Sequence, residues 1–323
     1  MILYTLLQAS GFSLLICLIL TPILIPKLRQ LKFGQSIREE GPKWHQKKSG
    51  TPTMGGLSII AASLIGSFLA YTIFGRLGFL EIGFLIGTFF FGIIGFVDDY
   101  IKVVQKRNLG LTSKQKFLAQ LLASVAIVVF MSHRGALGGE IFVPFLKTTV
   151  DIGLWTIPLA LFVLLAVVNS VNLTDGLDGL ASSVTLIVSL FFTICAVKLE
   201  NIPVAAFMGA VSAACLGFLF FNANPAKVFM GDTGSLFLGG AVAIGAIALK
   251  MPLFLIIAGG VYLLETLSVI IQVASFQLTG KRVFKMSPIH HHFEMCGMGE
   301  KAIVFMFSLA TAFLCVISYF LIF

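Results

Sequence analysis

The stretch FLEIGFLIGTFFFGIIGFVDDY, residues 79–100, is an apolar run that ends in two adjacent aspartates. Apart from Glu81 it carries no charge before Asp98, and about 20 apolar residues are enough to cross a bilayer as a helix. The stretch therefore predicts a membrane-spanning helix with a polar end. With nine further runs of this kind we predict ten spans, near residues 6–26, 57–75, 79–97, 117–133, 153–171, 180–197, 203–221, 234–250, 251–275 and 302–323.

The composition of the 323 residues supports the same class of protein. Hydrophobic residues make up 58% of the chain and charged residues 11%, whereas soluble globular proteins are about 25% charged. We predict an all-α polytopic membrane protein that forms a single domain over residues 1–323. The ninth span carries Glu265 and Gln272, so we expect it to be bent or broken. The outer loop 133–152 is expected to hold a short hairpin.

The basic residues set the predicted orientation. Most of the 22 lysines and arginines follow odd-numbered spans, which places those loops in the cytoplasm and both termini outside. Because the net charge of +8 is concentrated in these loops, we expect it to face a lipid bilayer, and we expect no nucleic-acid partner. The loops that follow even-numbered spans hold only Arg76, Arg134, Lys147, Lys198 and Lys250.

Asp98 and Asp99 lie at the cytoplasmic end of the third span. Two carboxylates beside a membrane are costly unless they are paired or bind a metal. Neighbouring residues of a helix point about 100° apart, so we expect the two aspartates to have different roles rather than to chelate one ion as equals. The alternative is a solvated helix end in which the two acids merely flank Lys102.

A second polar stretch, residues 169–179, follows the fifth span. Asn169 and Asn172 share one helix face, and Asp175 and Asp178 alternate with glycines that shape a loop. This spacing favours a binding site for a bulky polar ligand. The alternative is an ordinary turn in which Asp178 caps the sixth span.

Asp232 directly precedes the eighth apolar run. It is interpreted equally well as the N-cap of that helix and as a metal ligand beside a helix N-terminus, where phosphate oxygens are favoured. The two roles do not exclude each other.

His290, His291 and His292 form a consecutive run in the last cytoplasmic loop. Consecutive side chains diverge, so we do not expect one ion to bind all three. Imidazoles that donate to phosphate oxygens fit better, and a surface basic cluster is the alternative. Lys48, beside the Gly/Pro-rich turn of the first cytoplasmic loop, is placed either to reach a substrate phosphate or to contact anionic lipid.

Taken together, these carboxylates, lysines, histidines and asparagines suit a polyanionic substrate with Mg²⁺, because a hard cation binds carboxylate and phosphate oxygens. A site at the ends of membrane helices is expected when the second substrate is a lipid phosphate. The remaining alternatives are a transporter, which needs a polar path across mid-membrane, and a purely structural protein.

Several motifs resemble those of the polyprenyl-phosphate N-acetylhexosamine-1-phosphate transferases. The resemblance covers the full length, and its most specific part is the His-rich loop, which resembles family members that use UDP-N-acetylmuramoyl-pentapeptide. A relative that uses UDP-N-acetylglucosamine is the nearest alternative. The motifs are GTPTMGG (50–56), FVDDY (96–100), NSVNLTDGLDGLA (169–181), NANPAKVFMGDTGS (222–235) and SPIHHHFEMCGMGE (287–300).

The resemblance implies that the protein transfers a phospho-sugar to undecaprenyl phosphate, which forms lipid I and UMP in the bacterial plasma membrane. Asp232 would hold Mg²⁺, and Asp98 and Asp99 would be the catalytic pair, with Asp98 as base toward the lipid phosphate. We expect direct attack rather than an aspartyl-phosphate intermediate, because a phosphate monoester is already a competent nucleophile. A homodimer is also expected.

The resemblance also implies a set of substrate-binding residues. Phe229 would stack on uracil. The residues implied to contact the nucleotide-sugar, its uridine or its phosphates are Lys48, Lys114, Asn169, Asn172, Asp175, Asp178, Gln272, His290, His291 and His292.

Overall fold

The computed structural model describes residues 1–30, 48, 50–75, 77–105, 110–133 and 137–323. Ten of its helices are long and apolar enough to cross a membrane, which confirms the ten predicted spans. A shorter helix, α10, precedes the last span. The helices are α1 (Ile2–Gln30), α2 (Gly56–Ile73), α3 (Phe79–Val104), α4 (Ser113–His133), α5 (Thr156–Thr174), α6 (Leu180–Lys198), α7 (Ile202–Asn222), α8 (Gly231–Ala248), α9 (Gly260–Thr279), α10 (Ile289–Met295) and α11 (Glu300–Ile322).

Helices α3 and α4 extend further into polar sequence than the apolar runs predict. Helix α3 continues past residue 97 to Val104, and α4 begins at Ser113 rather than near 117. Hydropathy locates only the part of a helix inside the hydrocarbon region. The polar ends remain helical here because their charged side chains are paired with residues of other helices, as described below.

Glycines allow both α2 and α3 to approach α8 closely at one end of the bundle. A Cβ atom at Gly95 would collide with the backbone carbonyl of Asp232, and one at Gly56 would collide with the backbone of Gly234. Small residues at such crossings are typical of membrane helices. The crossing places the end of α3 beside the start of α8. We call this end of the bundle, where α3 and α5 end and α8 begins, the site face.

The ninth span is broken, as predicted, but the break precedes the polar residues that suggested it. A 3₁₀ helix, Pro252–Ile256, comes before α9, which begins at Gly260. Phe254 in this segment is fully buried, whereas Ile256 is exposed. The Thr266 hydroxyl donates to Ser170 in the last turns of α5 at 2.7 Å, which places the neighbouring Glu265 close to the site face.

The opposite face carries the predicted hairpin. Strands β1 (Glu140–Val143) and β2 (Thr148–Asp151) pair antiparallel, and the turn lies at residues 144–147. The Phe142 amide donates to the Lys250 carbonyl at 2.7 Å, and the Lys250 ammonium lies 2.8 Å from Glu140. These contacts attach the hairpin to the end of α8. A second 3₁₀ helix, Gly153–Trp155, leads into α5.

Part of the charge pattern behind the predicted orientation lies outside the described residues. The orientation, with the site face in the cytoplasm, therefore remains a prediction from the sequence. The basic residues concerned are Lys32, Arg38, Lys43, Lys47, Arg76, Lys106, Arg107 and Arg134.

The cysteines offer a direct test of this orientation. Cys296, on the site face between α10 and α11, is exposed, and Cys17, Cys195, Cys215 and Cys315 are buried. We expect a membrane-impermeant maleimide to label the protein in inside-out vesicles and not in right-side-out vesicles. Cys296→Ser should abolish the labelling. Labelling of Cys296 in sealed right-side-out vesicles would reverse the predicted orientation.

Candidate active site

Three carboxylates meet where α3 and α8 approach each other on the site face. Asp98 is 2% exposed and Asp99 is 3% exposed, and both project from the last turns of α3. Asp232 lies in the first turn of α8. One oxygen of each of the three side chains lies within 4.8 Å of the other two. We call this group the acidic cluster. Like charges at this spacing require positive countercharge or a cation.

Asp99 caps α8 from another helix. Its Oδ2 atom accepts hydrogen bonds from the Thr233 amide at 2.9 Å and the Thr233 hydroxyl at 2.7 Å, and its Oδ1 accepts from the Asp232 amide at 3.2 Å. The interpretation of Asp232 as N-cap is therefore wrong, because α8 begins one residue earlier and Met230 occupies the N-cap position. The carboxylate of Asp232 remains available for other contacts. Asp98 and Asp99 do have different contacts, as expected.

Two lysines neutralise the acidic cluster. The Lys102 ammonium lies 2.7 Å from Oδ2 of Asp232 and 2.6 Å from Oδ2 of Asp98. The Lys116 ammonium donates to the same Asp232 oxygen at 2.9 Å and to Asn172 at 3.3 Å. The Asn172 amide in turn donates to Oδ1 of Asp232 at 2.7 Å. Asp232 is therefore the carboxylate that Lys102, Lys116 and Asn172 all contact.

Lys114 and Lys116 have different surroundings in the structure, and the substrate contact expected of Lys114 stays a prediction. Lys114 is exposed in the first turn of α4, whereas Lys116 reaches the cluster. Residues two apart on a helix point to nearly opposite sides, so only one of the two lysines can face inward. Sequence reasoning missed the role of Lys116. For Lys102 a signal was present, because it lies four residues after Asp98 on one helix face.

A second polar cluster joins four separate segments of the chain. The Lys48 ammonium contacts Oδ1 of Asp178 at 2.7 Å and Oε1 of Glu300 at 2.6 Å. The Asn224 amide donates to Glu300 at 2.7 Å and to Asp178 at 3.1 Å. Burial alone would lower the pKa of Lys48, but its bonds to Asp178 and Glu300 outweigh this and raise the pKa. Lys48 therefore stays protonated.

The second cluster gives Asp178 a different contact from the predicted helix cap, and it includes Glu300, which the sequence did not single out. Asp178 does not cap α6, since the N-cap position is Gly179, with φ of 79°, and Asp178 instead accepts from the Ala226 amide at 3.0 Å. Glu300 was not a candidate from the sequence. It is the last residue of the His-rich motif, and nothing local distinguished it from an ordinary acid in the first turn of a helix.

Asp175 lies between the two clusters and is half-buried. Burial raises the pKa of its carboxyl group well above the usual range, and the negative charges of Asp232, Asp99 and Asp178 raise it further. A hydrogen bond from the Gly231 backbone opposes this rise. The loop 175–179 therefore brings Asp175 to the acidic cluster and Asp178 to Lys48, as the predicted Gly-shaped loop requires.

The three consecutive histidines lie in α10. Two of them contact carboxylates, so the run is not a basic surface cluster. Nδ1 of His290 lies 3.0 Å from Oε2 of Glu265, and Nδ1 of His291 lies 2.7 Å from Oε2 of Glu294. His292 differs, because its Nδ1 accepts from the Lys285 amide at 3.2 Å. That bond fixes the last loop, and the substrate contact expected of His292 stays a prediction.

Two further predicted residues, Gln272 and Asn169, form hydrogen bonds that hold neighbouring segments in place near the site. The Gln272 side chain accepts from the amides of Val283 and Phe284 at 3.0 and 2.9 Å and donates to the Phe284 carbonyl at 2.9 Å. It thus fixes the loop after α9, and the nucleotide contact expected of Gln272 stays a prediction. The Asn169 amide donates to Gln120 at 2.8 Å, one turn before Asn172.

Phe229 connects the stretch before α8 to the Gly/Pro-rich turn. Its amide donates to the Pro52 carbonyl at 2.8 Å, and its carbonyl accepts from the Gly55 amide at 2.8 Å. Its half-buried side chain lies two residues before the start of α8. The stacking expected of this ring stays a prediction.

The donor set of the acidic cluster fits a hard divalent cation. Such cations bind carboxylate oxygens, and the three side chains offer one oxygen each within 4.8 Å of one another. Both lysines contact one oxygen of Asp232, and Asn172 donates to the other. A cation bound to Asp232 would therefore replace the positive charge that the lysines supply in this structure.

Comparisons with known proteins show which family the chain is similar to. Residues 81–250 match the model of glycosyl transferase family 4, and residues 48–60 match phospho-N-acetylmuramoyl-pentapeptide-transferase signature 1. Two similar relatives are the phospho-N-acetylmuramoyl-pentapeptide-transferases of Bacillus thuringiensis (strain Al Hakam) and Bacillus cereus (strain AH187). Each is 55% identical over 303 residues, which cover 94% of this chain and 93% of the relative. On its sequence motifs, its ten spans and these matches, the chain belongs to the phospho-N-acetylmuramoyl-pentapeptide-transferase family.

Proposed function

We propose that the acidic cluster is the catalytic centre of a Mg²⁺-dependent transfer of phospho-N-acetylmuramoyl-pentapeptide from its UDP derivative to undecaprenyl phosphate. As a member of its family, the protein is a multi-pass transferase of the bacterial membrane that forms lipid I in peptidoglycan synthesis. The observation that carries the proposed centre is the convergence of Asp98, Asp99 and Asp232 within 4.8 Å at the ends of membrane helices.

The chemistry requires positive charge near two phosphate-bearing substrates. An oxygen of the lipid phosphate forms a bond to the β-phosphorus of the UDP-sugar, the bond from that phosphorus to the bridging oxygen breaks, and UMP leaves with the bridging oxygen. When bound at the acidic cluster, Mg²⁺ would neutralise charge on the pyrophosphate. Asp232 would hold it, supported by Asp98 and Asp99.

The protein's own residues supply the remaining functions. Lys102 and Lys116 both contact Asp232 at 2.7 and 2.9 Å, so they are placed to turn to phosphate oxygens once that carboxylate binds a cation. Asp98 accepts from the Leu111 amide through Oδ1 at 2.9 Å, and its Oδ2 lies 2.6 Å from the Lys102 ammonium. Oδ2 would act as base toward the lipid phosphate once Lys102 turns to a phosphate oxygen. Asp99 holds the start of α8 in place.

The nucleotide-sugar would bind between the two polar clusters. Asn172 and Asp175 face the acidic cluster, and Asp178 and Lys48 lie across the loop 175–179. Phe229 would stack on uracil, and His291 would contact the phosphate or uridine portion. The homodimer also stays a prediction.

The choice of sugar has a direct test. Purified protein with undecaprenyl phosphate and Mg²⁺ is expected to release UMP from UDP-N-acetylmuramoyl-pentapeptide and much less from UDP-N-acetylglucosamine. Chelation of the metal should stop the reaction, and added Mg²⁺ should restore it. Full turnover after removal of divalent ions would contradict metal dependence, and a preference for UDP-N-acetylglucosamine would favour the related transferase.

Lys116 and Lys114 form a matched pair for testing the cluster. Lys116→Ala removes an ammonium bound to Asp232, and we expect it to reduce kcat about ten- to a hundredfold, the effect of losing one hydrogen bond to a charged group. Lys114→Ala removes an exposed charge of the same helix turn and should leave kcat near the wild-type value. Similar losses in both variants, measured by UMP release, would show that the helix charge rather than the cluster contact matters.

A further inference from the structure

Glu265 is a buried acid in a membrane helix that the proposed reaction does not use. Its side chain in α9 is fully buried. An ionisable group at such a position is costly and is retained when it has a function or a partner. Its partner is His290, which is also fully buried and whose Nδ1 lies 3.0 Å from Oε2 of Glu265. The pair joins α9 to the short helix α10.

The pair fixes the direction of the imidazole. Only Nδ1 of the imidazole contacts Glu265, and Nε2 lies on the opposite side of the ring. When the carboxylate is ionised it only accepts hydrogen bonds, and Nδ1 is then the donor. Within the described part of the chain, neither Nε2 of His290 nor Oε1 of Glu265 has a hydrogen-bond partner. The ring is therefore held from one side by one bond.

The free side of the ring lies against the active-site loop. A Cβ atom at Gly176 would collide with Nε2 of His290, and its next nearest neighbours would be other atoms of the same ring. Gly176 separates Asp175, which faces the acidic cluster, from the turn that leads to Asp178. The imidazole thus packs on the backbone that carries both aspartates.

We propose that Glu265 is a positioning residue, which holds the His290 imidazole against Gly176 and thereby sets the loop 175–179 for the nucleotide-sugar. The role of that loop rests on the proposed function. Glu265 does not touch the reacting atoms. It acts through His290, and the absence of a side chain at Gly176 is what allows the ring to reach the loop.

Three variants separate this role from general stability. Glu265→Ala should weaken binding of UDP-N-acetylmuramoyl-pentapeptide about ten- to a hundredfold, the effect of one lost charged hydrogen bond, and leave the KM for undecaprenyl phosphate unchanged. Glu265→Gln keeps an acceptor for Nδ1 and should stay closer to wild type. Tyr262→Phe is the matched control, because it removes a buried 2.7 Å contact with Thr185 one turn earlier in α9 and should bind normally.

A double-mutant cycle tests whether Glu265 acts through His290. If it does, Glu265→Ala should add little in a His290→Ala background, because coupled residues do not contribute additively. Likewise Gly176→Ala should weaken binding strongly in the wild type and much less with His290→Ala, which makes room for the new methyl group. Even if Glu265→Ala does not fold, this second pair tests the contact between His290 and the loop on which the inference depends.

The outcomes are distinguishable from failure of the proposed function. Binding is measured by calorimetry without the lipid substrate, so catalytically dead variants still give a value. Independent, additive effects of Glu265→Ala and His290→Ala would overturn the inference, as would equal damage by Gly176→Ala in both backgrounds. A wild-type protein that binds the UDP-sugar but releases no UMP would instead contradict the proposed function.

Discussion

The close approach of α3 and α8 at Gly95 is the constraint on which the site depends. It brings Asp98 and Asp99 beside the first turn of α8, where any side chain at position 95 would collide with the Asp232 carbonyl. Clustering of three carboxylates at a membrane face, two of them buried, is unfavourable by itself. Lys102, Lys116 and Asn172 offset that cost through Asp232, and Asp99 offsets part of it by capping α8.

The second cluster joins further segments of the chain on the same face. Lys48, Asp178, Asn224 and Glu300 come from segments distant in the chain, and their contacts of 2.6–3.1 Å join the Gly/Pro-rich turn to the last helix. The loop 175–179 connects the two clusters, with one aspartate facing each. Under the proposed function, a ligand that carries both a pyrophosphate and a sugar would meet the acidic cluster on one side of this short loop and Lys48 on the other.

Most of the fold was predictable because hydropathy alone marks ten membrane helices. The five aspartates predicted to lie on one face indicated which end of the bundle holds the polar clusters. The contacts were less predictable. Asp99 rather than Asp232 caps α8, and Lys116 rather than Lys114 reaches the cluster, because both depend on how helices rotate against each other. Glu300 and the burial of His290 involve residues far apart in sequence, which no local pattern reveals.

The most direct test of the acidic cluster is cation binding without substrate. Mn²⁺, a spectroscopic substitute for Mg²⁺, should bind to the purified protein and be displaced by Mg²⁺, as followed by electron paramagnetic resonance. Asp232→Asn should abolish this binding, whereas Asp178→Asn, which removes a carboxylate from the second cluster, should retain it. Wild-type Mn²⁺ binding in Asp232→Asn, or its loss in Asp178→Asn alone, would contradict the account.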